Sequence, residues 1–141
     1  MATRHLLREV VLQSLFEWDF YQKKRDLVKI LERNINEFAP EVDEPEFGWK
    51  IIHGIVSHLK EIDELINKYT KEWPIEKMSL IDRNILRIGV YELLYANHQE
   101  VPEEVAIDEA VILAKHFGGP NSAKLVNGIL GSIYDEIKVK K

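Results

Sequence analysis

At 141 residues the chain has the length of one domain, long enough to bury a core without staples. Apolar residues make up 45% and charged residues 30%, a soluble globular balance, and the absence of cysteine excludes a disulfide framework, a thiolate zinc site and a cysteine nucleophile. The net charge of −5 argues against broad, non-specific nucleic-acid binding; the charged start MATRHLLREV and the lack of any run of roughly 18 apolar residues point to a cytoplasmic protein without a membrane segment.

Almost every segment has a helical period, and none alternates as a strand does. From Thr3, a predicted N-cap, to about Phe20, the residues Leu7, Val11, Leu15 and Trp18 form one stripe. Asp26 opens a second predicted helix with Leu27, Ile30, Leu31, Ile35 and Phe38 facing inward. Pro40 and Pro45 bracket an acidic loop holding Glu41, Asp43 and Glu44. The third helix is predicted over about Pro45 to Tyr69, because Phe47, Ile51, Ile55, Leu59, Ile62, Ile66 and Tyr69 trace one face. Pro74 breaks the pattern at KEWPIEK. That break divides residues 1–78 from 79–141 as two small sub-bundles of a single domain, 1–141.

Ser79 followed by Asp82 reads as a capping box opening a helix over about Leu80 to Ala96. Ile81, Ile85, Leu86, Ile88, Val90 and Leu93 clothe it on most sides, so it is central to its bundle. Gly89 inside it costs about 1 kcal/mol against alanine, which predicts a close-passing neighbouring backbone. Pro102 opens the next helix, which carries Ile112 as a core residue and ends at Phe117 before Gly118. Asn121 or Ser122 caps a last helix bearing Leu125, Val126, Ile129, Leu130, Ile133 and Ile137. The fold class is all-α.

Candidates for chemistry are few. His53 and His58 stand five apart, about 140° around a helix, and miss the i, i+4 spacing of a metal pair. Asp108 and Glu109 point in different directions and cannot serve as an acid/base couple. Glu109 is expected to hydrogen-bond a neighbouring helix through Arg83 or Arg87. FGGPNSAK lacks the Walker pattern, although the amides at that helix start, with Lys124 one turn in, suit a single phosphate. Catalytic residues, metal and cofactor are all expected to be absent. Charge is uneven: residues 1–25 hold five basic against three acidic side chains, and residues 121–141 hold four against two. A small basic patch on an acidic protein forms if both ends share a face.

Four segments carry a resemblance: the Arg8, Gln13, Leu15, Phe16 pattern of the first helix, the block IDRNILRIGVYELL, the helix VPEEVAIDEAVILAKHFG, and KLVNGIL. Together they resemble the NusB family of transcription antitermination factors along essentially the whole chain. The resemblance implies an all-α domain of about seven helices in two packed sub-bundles. It also implies binding of single-stranded boxA RNA from ribosomal RNA leaders, as a heterodimer with the small-subunit ribosomal protein NusE, within the RNA polymerase antitermination complex. Carried over by position, RNA contacts fall on Arg4, Arg8, Gln13, Asn121, Lys124, Leu125 and Asn127, and the partner surface on Phe16, Glu76, Asp82 and Arg83. Two positions depart from the family pattern. The initial arginine run is thinned to Arg4 and Arg8, and Leu125 stands where many members have phenylalanine. The alternative these departures raise is a module that binds NusE with weak or lost RNA affinity.

Overall fold

The computed structural model describes residues 2–140. Among them are seven α-helices, a short 3-10 turn and no strand: α1 (Ala2–Phe20), α2 (Leu27–Phe38), α3 (Pro45–Ser57), α4 (Leu59–Lys68), the turn Ile75–Lys77, α5 (Leu80–Leu94), α6 (Glu103–Phe117) and α7 (Pro120–Lys140). Contacts divide the chain into two compact units at Ser57/His58, some twenty residues before the division expected at 78/79.

The first unit packs α1 against α2 and α3. The predicted stripe of Leu7, Val11, Leu15 and Trp18 is buried, as are Leu27, Ile30, Leu31 and Ile35 on α2 and Phe47, Ile51 and Ile55 on α3. Asp26 caps α2, accepting from the backbone N–H of Val28 at 3.0 Å and of Lys29 at 3.3 Å, an arrangement worth about 1 kcal/mol. Two polar groups in this core satisfy each other. Asn34 Nδ2 donates to Ser14 Oγ at 3.0 Å, and Ser14 Oγ donates to the Val10 carbonyl at 2.8 Å. Thr3, expected as a cap, lies inside the first turn of α1. Phe38, expected to face inward, is 49% exposed; Ala39 takes the buried position at the end of α2.

The predicted helix over 45–69 is interrupted at His58, whose φ of −120° and ψ of 20° leave helical geometry. Its ring instead stacks on Tyr95 at 3.8 Å with planes 5° apart. One non-helical residue leaves the apolar spacing of 55, 59 and 62 intact, so periodicity could not show the break.

In the second unit α5 is the central helix, in contact with α4, α6 and α7. Ser79 Oγ accepts from the Asp82 N–H at 3.0 Å and starts it. The Asp82 Oδ1 atom is buried without a hydrogen-bond partner among the described residues, so this oxygen does not complete the expected box. Arg87, buried on α5, grips Asp63 of α4 through Nε and Nη2 at 2.9 and 3.0 Å and donates to Asn84 Oδ1 at 3.0 Å. Such a two-pronged bond fixes orientation as well as distance.

Gly89 is crowded, though by a side chain rather than the expected backbone. A Cβ there would meet Leu130 Cδ1 at 2.6 Å and the Ala110 Cβ at 3.4 Å. The small residues Ala106, Ala110 and Ala114 are buried on α6, whereas Ile112, expected in the core, is 43% exposed. Close helix approach selects the alanine face and turns the bulkier isoleucine outward. The N–H groups of Gly118 and Gly119 both donate to the Ala114 carbonyl, at 2.9 and 2.8 Å. Gly119 has φ 101°, a left-handed conformation that glycine adopts without strain. Pro120 then stands first in α7, so Asn121 and Ser122 lie within its opening turn and do not cap it.

Candidate nucleic-acid and partner surfaces

Each unit carries part of the expected RNA set and part of the expected partner set. On α1 of the first unit, Arg4 and Arg8 stand one turn apart, their guanidinium carbons 4.8 and 4.9 Å from the Phe47 ring centroid. Attraction between a cation and the ring face explains why two arginines tolerate this closeness. Arg4 also donates through Nε to Glu44 Oε2 at 3.2 Å, bringing the acidic loop back onto α1. Arg8 is only 3% exposed. A buried guanidinium packed on an aromatic ring shapes the surface; it does not present itself to a phosphate.

Gln13 sits apart from this pair. It lines a surface groove with Glu17, Phe20, Tyr21 and Phe16, the last of which is the α1 residue expected to meet the protein partner. Phe16 and Phe20 stack at 6.4 Å, and Phe20 meets Tyr21 edge-on at 5.0 Å. Phe20 is 59% exposed, and Arg25 lies 3.5 Å over the Tyr21 ring. The i, i+4 spacing of Phe16 and Phe20 was the available sequence signal for this aromatic strip, which the sequence reading did not extend past Phe16.

In the second unit, Asn121, Lys124 and Asn127 share a groove with Asp108, Val111 and Lys115 of α6, Pro120 and Ala123. The residues 108, 111 and 115 form one stripe of α6, and 120, 123, 124 and 127 one stripe of α7. Lys115, Lys124 and Asp108 are exposed and make no side-chain hydrogen bond or ion pair among the described residues. The groove therefore holds two cations and an acceptor that the chain itself leaves available. Leu125 is half-buried beside this stripe. Sequence reasoning passed over Lys115 and Asp108 because it sought an acid/base pair and not a shared helix face.

The remaining expected partner residues cluster where the 3-10 turn meets α5. Asn67 Oδ1 accepts from the Ile75 N–H at 2.8 Å and holds the turn, which leaves Glu76 exposed. Arg83 reaches the Ile75 carbonyl at 3.5 Å, one turn beyond the Ser79 cap. Asp82 and Arg83 are half-buried. Among the described residues no group of three or more His, Cys, Asp or Glu could hold a metal ion, and no helix is long and apolar enough to cross a membrane.

An all-α fold that displays an aromatic strip on one unit and an unneutralised lysine groove on another has the make-up of a helical binding protein. Comparison with known proteins narrows the class. Residues 5–135 match the NusB family. The chain is 40% identical over 132 residues to the transcription antitermination protein NusB of Dehalococcoides mccartyi, covering 94% of this chain and 90% of that one. It is 38% identical over 136 residues to the NusB of Streptomyces avermitilis, with 94% and 92% covered. Among solved structures, T. maritima NusB superimposes with a TM-score of 0.84 at 40% identity, over 94% of this chain and 91% of that one. A chain of the complex of antitermination factors NusB and NusE with double-stranded RNA superimposes with a TM-score of 0.83 at 26% identity, over 96% and 98%. The chain belongs to the NusB family of transcription antitermination factors.

Proposed function

We propose that the protein is a cytoplasmic transcription antitermination factor that acts by binding and carries out no catalysis. It joins NusE on boxA-type single-stranded RNA and modulates elongation by RNA polymerase. The observation that carries the RNA half of this reading is the α6–α7 groove, where Lys124, Asn121 and Asn127 stand exposed at positions the family resemblance assigns to RNA. Lysine supplies phosphate attraction, and the asparagines supply donors and acceptors suited to unpaired base edges. Leu125 beside them offers an apolar contact without the stack a phenylalanine would give.

Arg4 and Gln13 extend the RNA set on the first unit, with Arg8 as a positioning residue under Phe47. Phe16, Glu76, Asp82 and Arg83 form the partner set. Family membership along nearly the whole chain, together with the NusE complex seen for a relative, supports that assignment.

The test is fluorescence anisotropy of labelled boxA RNA titrated with the protein, alone and with NusE. Binding should tighten when NusE is present. With three or four phosphate contacts, the slope of log affinity against log salt should be about −2 to −3. No binding in either case at low salt would refute the reading. A second reading, a NusE-binding module with little RNA affinity of its own, draws on the burial of Arg8 and the Arg4–Glu44 pair. Tight NusE binding with no gain in RNA affinity would establish it.

A further inference from the structure

The groove between α6 and α7 holds a carboxylate where a pure phosphate clamp would hold none. The two-residue turn at Gly118–Gly119 folds α7 back along α6. Ala110 and Leu130 both meet Gly89, so they stand at one level of the hairpin. From there, Lys115 lies five residues along α6 and Lys124 six residues back along α7, about 8 and 9 Å of helix rise in the same direction. The two lysines are thus level across the groove. Asp108 lies on the same face of α6 as Lys115, seven residues and about 10 Å of rise away. It makes no ion pair with either lysine. Its oxygens remain acceptors only, in a groove whose cations suit phosphate.

Resting on the RNA-binding reading above, we infer that this groove reads a guanine through Asp108 while Lys115 and Lys124 hold the phosphate of the same nucleotide. Phosphodiester groups have no hydrogen to donate to a carboxylate. An RNA strand donates only from base edges and from the ribose 2′-hydroxyl. Two turns of helix match the reach from a phosphate to the edge of its base, and the 2′-hydroxyl lies much nearer the phosphate. Among the four bases, guanine alone presents two adjacent donors, N1–H and the N2 amino group, to match the two oxygens of a carboxylate. Asn127, on the α7 side of the groove, can meet the O6 acceptor with its amide. Asp108 is thereby a specificity residue and Lys115 a further phosphate contact.

The inference is tested with the full chain and NusE on three labelled 12-nucleotide RNAs: oligouridine, the same strand with one central guanosine, and the same strand with inosine at that place. Inosine lacks the N2 amino group. The wild type should bind the guanosine strand roughly tenfold tighter than oligouridine, and inosine should lose most of that gain. Asp108→Asn, an exposed substitution whose fold is checked by thermal melting, should bind all three strands alike. Lys115→Ala should weaken all three equally and make the salt slope shallower by about 0.7. Equal binding of all three strands by the wild type, or a guanosine preference that survives Asp108→Asn, would overturn the inference while leaving RNA binding intact. A preference that depends only on the 2′-hydroxyl, shown by a 2′-deoxy substitution, would overturn it as well. If Lys115→Ala leaves the salt slope unchanged, Lys115 is no phosphate contact. Failure of the wild type to bind any strand at low salt would remove the RNA-binding reading itself.

Discussion

Replacing Gly89 by alanine sets two effects of opposite sign against each other. Helix propensity favours alanine by about 1 kcal/mol in a helix interior. Packing opposes it, since the new methyl would stand 2.6 Å from Leu130 Cδ1 and 3.4 Å from the Ala110 Cβ. Leu130 is fully buried, so its side chain cannot swing into solvent to make room. Overpacking of this kind costs about 1–3 kcal/mol. The net expectation for Gly89→Ala is a loss of about 1 kcal/mol, seen as a lower midpoint in urea unfolding followed by circular dichroism. The same substitution in a Leu130→Ala background should change sign. Leu130→Ala alone should cost about 2–5 kcal/mol through the cavity it leaves. With the obstructing methyls gone, Gly89→Ala should then recover about 1 kcal/mol from propensity and partial filling. A stabilising effect in the wild-type background, or the same effect in both backgrounds, would refute the reasoning.

Glu44→Gln should raise RNA affinity roughly twofold to fivefold in the anisotropy assay, because an exposed pair of this kind is weak and the change removes a carboxylate that competes with phosphate for Arg4. Asp63→Ala should cost about 2–4 kcal/mol in denaturant unfolding, since it takes a bidentate carboxylate from a buried guanidinium, and Asp63→Asn should restore part of that loss. The Tyr134 hydroxyl donates to Glu104 at 2.7 Å, holding that carboxyl below its usual range while the phenol is pushed up to about 12. The pair's contribution should therefore be present above the ordinary carboxylate range and fade as pH falls through the lowered value; on the alkaline side it should persist below pH ~10 and fade as pH approaches 12. Tyr134→Phe should move the Glu104 titration upward in carboxyl-detected NMR, and an unmoved titration would mean the bond is not formed in solution.

Helix faces with large apolar residues at regular spacing were legible in the sequence: the α1 stripe through Leu7, Val11, Leu15 and Trp18 is the clearest case. Three features escaped for separate physical reasons. The break at His58 leaves the apolar register unchanged and arises from a ring stack on Tyr95, thirty-seven residues on. The outward turn of Ile112 reflects a choice between faces that depends on how closely α5 and α7 approach, and small Ala110 and Ala114 win that choice. The burial of Arg8 depends on Phe47, an aromatic on another helix that cancels the expectation that an arginine faces water. Of the candidate site, Lys124, Asn121 and Asn127 could be picked out by motif. Lys115 and Asp108 needed the pairing of two helices to be seen together.

That pairing also reconciles the net charge of −5 with a role in RNA binding. Non-specific affinity scales with the number of phosphates neutralised. Here Arg8 is buried and Arg4 is paired with Glu44, so the phosphate contacts are few, with Lys115 and Lys124 in the α6–α7 groove chief among them. So few cations release too few counterions to hold RNA of arbitrary sequence. Discrimination must then come from base edges, whose hydrogen bonds release no counterions, and affinity from the added surface of a second protein. A chain built in this way gains selectivity by keeping its general attraction for nucleic acid low. The charge that argues against indiscriminate binding is what makes binding dependent on the right base and the right partner.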